Sequence, residues 1–309
     1  MAQENPVVSV IINCRNGEKY LKECISSVLE QSYKQIEIIL FDNNSTDLTK
    51  KIVDSFNSPK IRYFHSNIDL SLGKARNKAL ELTLGDYVTF LDADDIYLKD
   101  KILKQLNFMK ETDYEASFSG YYEINSIGKI IKKNIPKISS GDIFEKVLKK
   151  YNVNLQTIMF KRQLLESLSL SFDELFNFSE DGDFFLNICI QRNILVIKEP
   201  LIKYRIHSEQ DTKKKYHLVS KEFEITLNKL KRKFPREAEK YNKAFEFGFR
   251  KLVYYDFLNE LINGEVNQAV NLISKVKFYD FKFFLIWLFL LVTKNKSITL
   301  KLLNRSNEK

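Results

Sequence analysis

Val7-Val8-Ser9-Val10-Ile11-Ile12 is an almost unbroken apolar run, mostly β-branched, and the polar Asn13-Cys14-Arg15-Asn16 follows it at once. The run lacks the alternation of a strand with one wet face. It suits a strand buried on both sides, as in a parallel sheet under helices. Asn16 offers an N-cap for a helix over Glu18 to Glu30, where Tyr20, Leu21, Cys24, Ile25, Val28 and Leu29 recur at helical spacing. Ile36 to Phe41 is a second apolar strand. Asn44-Ser45-Thr46-Asp47 is a helix-start signal for Leu48 to Phe56. Ile61 to His65 reads as a third strand, Leu72 to Leu82 as a third helix and Tyr87 to Leu91 as a fourth strand. Strands alternating with helices define β/α units and an α/β fold with a mainly parallel sheet flanked by helices.

The pattern then becomes mixed. Lys99 to Lys110 and Asp142 to Lys150 read as helices, with a hairpin between them: Ala116 to Asn125 and Lys129 to Lys132 around Ser126-Ile127-Gly128. Thr157 to Phe160 is a short strand, Asp181 to Gln191 a helix, and Leu195 to Ile197 and Leu201 to Ile206 are strand-like. Beyond Thr212 the periodicity is helical, with one stripe of Phe223, Leu227 and Leu230 ending at Pro235. A second, of Phe245, Phe249, Leu252, Val253 and Leu258, ends near Gly264.

Charge marks the same boundary. The 309 residues carry a formal +9. Residues 1–212 hold 28 Lys+Arg against 30 Asp+Glu, while residues 213–309 hold 21 against 10, a net of +11. The expected organisation is an α/β domain over 1–212, with halves 1–97 and 98–212, and a basic helical extension over 213–309. Nine Gly and five Pro exclude collagen-like or low-complexity architecture. Cys14, Cys24 and Cys189 are too few and scattered for a disulfide framework or a cysteine metal site, and read as thiols in a reducing compartment. Met1 to Asn5 is polar, and no stretch reaches the roughly 20 apolar residues of a spanning helix. A cytoplasmic protein is expected.

In open parallel sheets ligands bind beyond the carboxyl ends of the strands. Three polar clusters fall there: Asn13-Cys14-Arg15-Asn16, Asp42-Asn43-Asn44-Ser45 and Asp92-Ala93-Asp94-Asp95. Three carboxylates in four residues are costly unless a cation or hydrogen-bond donors offset their repulsion. A hard divalent ion shared with substrate phosphates meets that need. A polar turn capping the following helix is the plainer account of the same residues.

The order of the blocks resembles that of the family 2 glycosyltransferases, inverting enzymes of the GT-A fold (nucleotide-diphospho-sugar transferase, Rossmann-like), here of the bacterial surface-glycan type. Val8 to Gly17 resembles the family's first strand and nucleotide-binding turn, and Glu37 to Asp47 its second. Ala75-Arg76-Asn77, Gly85-Asp86-Tyr87-Val88 and Phe90 to Asp95 resemble its Asp-x-Asp block. Phe172-Asp173-Glu174 with Glu180-Asp181 resembles its acceptor-side block. The likeness runs from Val7 to about His207. It departs at Asn13-Cys14, where the family often has proline-threonine, at Arg15, where an aromatic is common, and at Asn43, where a second acid is frequent.

The resemblance implies roles. Asp42 would hydrogen-bond the base, with Asn13 and Arg15 lining its pocket. Arg76 would approach the base and diphosphate, and Asp92 the ribose. Asp94 would hold Mn2+ or Mg2+, with His207 as a further ligand. Asp181 would be the general base, and Glu180 would contact the acceptor. The donor is expected to be a UDP-sugar and the acceptor a glycan or lipid-linked hydroxyl. A sugar nucleotidyltransferase and a non-catalytic membrane-tethered scaffold are the alternatives. The first would usually carry a basic Gly-rich phosphate loop where Asn13 to Gly17 stands. The second would not need to keep Asp92, Asp94 and Asp181.

Lys277 to Val292 alternates Lys with Phe, Tyr, Trp and Leu, and its apolar core, Phe283 to Val292, is too short to cross a bilayer. With Lys282, Lys294 and Lys296 it suits an anionic membrane surface, placing the protein peripherally on the inner face of the cytoplasmic membrane. Packing on protein, including a second copy through the extension, is the alternative. The aromatics are clustered rather than interleaved along a polar groove, which argues against nucleic acid.

Overall fold

The computed structural model describes residues 5–208, 215–277 and 281–293 of the chain. Met1–Gln210 and Asp211–Lys309 form two compact units. The expected junction at Thr212 and the basic residues Lys294 and Lys296 lie outside the described residues.

The first unit opens with β1 (Val8–Cys14), α1 (Leu21–Leu29), β2 (Ile36–Asn43), α2 (Thr49–Ser55), β3 (Ile61–Ser66), α3 (Leu72–Glu81) and β4 (Tyr87–Phe90). These four strands are parallel, in the order β3-β2-β1-β4. Val8, Val10, Ile11 and Ile12 are all buried, as a two-sided strand requires.

The turn after β1 differs from expectation. Asn16 does not cap a helix; it adopts a left-handed backbone (φ 52°), and α1 starts only at Leu21. Its side-chain oxygen accepts from Thr46 N at 2.9 Å, and its own N–H donates to Ser45 Oγ at 2.8 Å. Asn tolerates this conformation better than most residues. The residue therefore ties the turn after β1 to the turn after β2. Likewise neither Ser45 nor Thr46 caps α2. Leu48 stands at the N-cap without a side-chain bond, and Asp47 before it accepts from Thr49 N at 2.9 Å and from Glu18 N at 2.9 Å.

The sheet continues with β5 (Ile96–Tyr97), α4 (Lys101–Lys110), β6 (Ala116–Ile124), β7 (Ile130–Asn134), α5 (Phe144–Lys149), a single 3-10 turn (Leu155–Thr157), β8 (Met159–Lys161), α6 (Leu164–Ser167), α7 (Glu180–Cys189) and β9 (Ile194–Arg205). The order is β3-β2-β1-β4-β8-β6-β9-β5, with β7 on β6. Beyond β4 the pairing is mixed: β8 is antiparallel to β4 and β6, while β6 and β9 are parallel. The two strand-like pieces around Pro200 are one strand. Pro200 cannot donate to the ladder, and it sits opposite Gly120, where the register shifts. A Cβ on Gly120 would lie 2.5 Å from Asn134 O, so only glycine fits that close approach.

Phe90, Phe160, Phe172 and Phe184 form one aromatic cluster. Phe172 and Phe184 stack at 4.3 Å between centroids, and Phe90 meets Phe172 edge-on at 5.5 Å. All four are buried. The cluster fixes the end of β4 against the start of α7, the two places where the acids stand. Beside it Lys101 is fully buried, donating to Thr89 Oγ1 and lying 4.2 Å from the Tyr97 ring centroid. Burial pushes its ammonium well below the usual lysine range.

The second unit is helical: α8 (Val219–Lys233), α9 (Pro235–Lys240), α10 (Asn242–Asn263), α11 (Val266–Val276) and α12 (Phe281–Thr293). Pro235 opens α9, and Gly264, at φ 95°, ends α10. Phe257, Leu261, Ala269, Ile273, Val276, Ile286 and Leu290 form its core, and Trp287 packs against them with Lys277 Nζ 3.7 Å from its ring centroid. On α12, Leu285, Leu288, Leu291 and Val292 are exposed. Among the described residues no helix is long and apolar enough to cross a membrane.

Candidate active site

The loop after β4 brings Asp92, Asp94 and Asp95 together, and three different partners separate their roles. Asp95 is buried; its Oδ1 accepts from Arg205 N at 2.7 Å and its Oδ2 has no partner. Burial, then the charges of Asp94 and Asp92, push its carboxyl well above the usual range. Asp92 accepts from Gln156 Nε2 and faces Arg76 Nη2 at 3.5 Å. Desolvation raises its carboxyl and Arg76 opposes the rise. Asp94 is partly exposed, and its Oδ2 lies 2.8 Å from His207 Nε2.

Arg205, at the end of β9, holds this loop. Its Nε donates to Asp94 O at 2.8 Å, its Nη2 to Glu23 at 2.6 Å and its Nη1 to Ser126 O at 3.3 Å, and its guanidinium lies 4.4 Å from the Tyr20 ring centroid. Tyr20 in turn meets the His207 ring at 5.4 Å. One buried arginine thus sets the backbone of Asp94 and the approach of His207.

Across the site, α7 begins with Glu180-Asp181, where acids also complement the helix dipole. Arg76 spans the gap. It is 6% exposed, pairs with Glu180 through Nη1, and lies over Phe172 at 5.4 Å. Asp181 Oδ1 accepts from Gly182 N at 2.7 Å. Burial, then the charge of Glu180, pushes its carboxyl up to about 7, against the pull of Arg76. A carboxylate near 7 is tuned for proton abstraction at neutral pH.

The expected residues thus divide. Asp92, Asp94, His207, Arg76, Glu180 and Asp181 form one connected group. Glu180 is not open to an acceptor: it is 2% exposed and committed to Arg76. Arg76 is likewise held between two acids instead of reaching outward. Asp42 is not free. It is 1% exposed, accepting from Ser45 N at 2.9 Å and from Tyr63 Oη at 2.7 Å. Asn13 is half-buried and its Nδ2 lacks a partner. Arg15 is exposed and pairs with Asp69. Gln156 and Arg205 were not singled out in the sequence. Arg205 sits two residues before His207, close enough to have been found; nothing around Gln156 marks it.

Among the described residues no group of three or more His, Cys, Asp or Glu side chains is placed to hold a metal. Asp94 and His207 offer two ligands. Neighbouring ligands of a small octahedral cation lie about 3.0 Å apart at bond lengths of about 2.1 Å. The 2.8 Å between Asp94 Oδ2 and His207 Nε2 is close to that spacing. The pair would suit two positions of an Mn2+ or Mg2+ shell, whose other ligands would have to come from elsewhere.

These features define an α/β protein whose acids and one buried arginine gather beyond the strand ends, where open sheets of this kind bind ligands. The family model for glycosyl transferase family 2 matches residues 9–168, and the chain belongs to that family. The Escherichia coli protein WfaP, named as a UDP-Glc:α-D-GlcNAc-diphosphoundecaprenol β-1,3-glucosyltransferase, is 31% identical over 65% of this chain and 78% of its own length. A longer Rickettsia felis glycosyltransferase is 34% identical over 66% of this chain, which spans only 34% of that relative. Among solved structures, Staphylococcus aureus TarS 1-349 in complex with UDP-GlcNAc superposes with a TM-score of 0.69 at 18% identity, over 88% of this chain and 80% of that one. The Pyrobaculum calidifontis mannosyltransferase PcManGT, solved with GDP-Man and Mn2+, gives 0.62 at 16% identity, over 89% and 76%. The fold is that of the GT-A transferases.

Proposed function

We propose that the chain is an inverting, divalent-metal-dependent glycosyltransferase. It moves a sugar from a nucleoside-diphosphate donor, a UDP-sugar, to a hydroxyl of a glycan or lipid-linked acceptor in surface-polysaccharide synthesis. The observation that carries this is the placement of Asp181, pushed up to about 7, across Arg76 from the Asp92–Asp94 loop. Named activities of relatives, a glucosyl transfer to a diphosphoundecaprenol-linked sugar among them, support it.

In this reading Asp181 takes the proton of the acceptor hydroxyl as that oxygen bonds to the anomeric carbon. The bond from that carbon to the diphosphate oxygen breaks, the electron pair leaves with the nucleoside diphosphate, and configuration inverts. Asp94 and His207 would hold the cation, which would supply Lewis-acid stabilisation of the departing diphosphate. Asp92 orients the donor. Arg76 fixes Asp92 relative to Glu180 and limits the rise of the Asp181 pKa.

We further assign the helical unit to an anionic membrane surface on the cytoplasmic side, where a lipid-linked acceptor is confined. Support comes from the net +11 of residues 213–309 and from the exposed Leu285, Leu288, Leu291 and Val292. The test of the central proposal is incubation of the purified protein with a panel of nucleotide sugars and Mn2+ or Mg2+, reading release of the nucleoside diphosphate. Release that requires Asp181 and the cation is expected. A panel without turnover, or turnover unchanged in Asp181→Asn, refutes it.

A further inference from the structure

Three large apolar side chains crowd into five residues at the tip of the β6–β7 hairpin. Ile127 is 84% exposed, Ile130 49% and Ile131 54%. A single exposed apolar residue is ordinary, but a cluster of them marks a surface that meets something. Lysines stand among them. The eighteen residues from Ile124 to Gly141 hold four Lys and six Ile but no Asp or Glu. Lys129, Lys132 and Lys133 are exposed. The acid just before this stretch, Glu123, lies opposite Lys132 in the ladder and accepts from Asn134 Nδ2 at 2.8 Å.

The tip is firmly bonded. Asn125 N donates to Lys129 O at 2.9 Å and Gly128 N to Asn125 O at 3.0 Å. Asn125 Oδ1 accepts from Ile127 N at 3.2 Å and from Lys129 N at 2.9 Å. A turn whose amides are already paired can enter a lipid interface without stranding them. Strand β7 pairs with β6 alone, and Ile130 to Lys133 are all exposed, so both of its faces are open. Lysines on an edge strand discourage pairing with another strand, but that role leaves the isoleucines unexplained. A second copy laid along this edge would set lysines against lysines, and like charges opposite one another are unfavourable. An anionic bilayer suits both residue types: the isoleucines leave water and the lysines meet lipid phosphates.

We propose that the β6–β7 hairpin is a membrane contact of the α/β unit itself, setting Ile127, Ile130 and Ile131 into the headgroup region of an anionic bilayer while Lys129, Lys132 and Lys133 meet the lipid phosphates. The contact is separate from the one assigned to the helical unit. It rests on the transferase reading only for its purpose, which is to hold the acid loop where a lipid-linked acceptor lies. The geometry suits that purpose. Arg205 Nη1 reaches Ser126 O at 3.3 Å and Asn125 O at 3.5 Å, while its Nε holds Asp94 O at 2.8 Å. One guanidinium therefore joins the hairpin turn to the loop that carries Asp94.

Cys14, Cys24 and Cys189 are buried, so Ile127→Cys in the full chain takes a thiol-reactive, environment-sensitive dye at one place. The labelled protein is titrated with phosphatidylglycerol vesicles and with phosphatidylcholine vesicles. The dye is expected to shift to the blue and to be quenched by spin-labelled lipid in the first series only, and added salt should weaken the response. Lys132→Gln with Lys133→Gln should raise the half-saturating lipid concentration about 25-fold, near fivefold for each lysine. Ile130→Ser with Ile131→Ser should raise it at least tenfold. UDP affinity should stay within about twofold in all of these variants. The same label in a Leu288→Glu, Val292→Glu chain should reach the same end point at higher lipid. A dye that stays in water, an equal response to both lipids, or a response lost in the Leu288→Glu, Val292→Glu chain overturns the contact. A blue shift that grows with protein concentration and needs no vesicles overturns it in favour of pairing between copies. These failures leave the transferase reading standing, whereas a chain that inserts but releases no nucleoside diphosphate overturns that reading and spares the contact.

Discussion

Asp181→Asn should push activity and stability in opposite directions. Asparagine has the shape of a protonated aspartic acid and carries no charge. The Asp181 carboxyl is pushed from 3.8 to about 7, chiefly by burial and then by Glu180. At about 1.4 kcal/mol per unit, ionising it in the folded chain costs ~4 kcal/mol more than in water. The folded state therefore holds this proton more tightly than the unfolded chain. The resulting stabilisation is fully present below about pH 4 and is lost as pH rises to about 7. At pH 8 the wild type bears the whole penalty and the Asn variant bears none, so its Tm should rise at pH 8 and match the wild type near pH 4. Activity should do the reverse. In the wild type kcat/KM should climb with unit slope below an inflection near pH 7, where Asp181 becomes ionised. Asp181→Asn should lose about 10²–10⁴-fold at pH 8, with the nucleotide Kd little changed. The assay is a pH–rate profile alongside scanning calorimetry at pH 4 and 8. A flat profile between pH 5 and 8, or an Asn variant destabilised at pH 8, would show that Asp181 is neither the base nor shifted upward.

Asp94→Ala should abolish transfer and remove the Mn2+ dependence of UDP binding in calorimetry, and His207→Ala should weaken that dependence without abolishing it. Arg76→Met strands two carboxylates, and losing one partner of a buried ion pair typically costs about 3–5 kcal/mol; denaturant titration should show that loss, with partial recovery in Arg76→Lys. Phe172→Ala removes a stacked ring from beneath the site and should cost about 3–5 kcal/mol in the same titration. Leu288→Glu with Val292→Glu should cut cosedimentation with phosphatidylglycerol vesicles at least tenfold while leaving UDP binding intact, each leucine-sized group contributing about 1.5–3 kcal/mol when buried.

The strand runs were legible because a two-sided buried strand leaves an uninterrupted apolar signature, as in Val7 to Ile12. The hairpin was legible from Gly128, which adopts φ 83° at its turn. Signals failed where one residue type serves two geometries. Asn16 and Ser45 are good helix caps, but each instead hydrogen-bonds the turn beyond the neighbouring strand, a tertiary contact that local propensity cannot register. The two-residue β5 was missed because its pairing with β9 depends on residues over a hundred positions away. Gln156 was missed for the same reason: its bond to Asp92 joins positions 64 apart.

The Asp92-Ala93-Asp94-Asp95 triplet presents the sharper contrast between what a sequence and a structure convey. In sequence the three acids are equivalent, and their crowding alone argued for a cation. In the structure the crowding is largely relieved by other means. Asp95 is buried against the Arg205 backbone and held toward its protonated form, and Asp92 is shared by Gln156 and Arg76. Asp92 and Asp94 both stay partly exposed, at 38% and 29% of their side chains, but only Asp94 faces an imidazole, and Arg205 holds it there by gripping its carbonyl. The argument for a metal therefore shifts from three negative charges in need of neutralisation to one carboxylate–imidazole pair at ligand spacing. It follows that Asp95→Asn should leave metal-dependent UDP binding intact, whereas the same change at Asp94 should not.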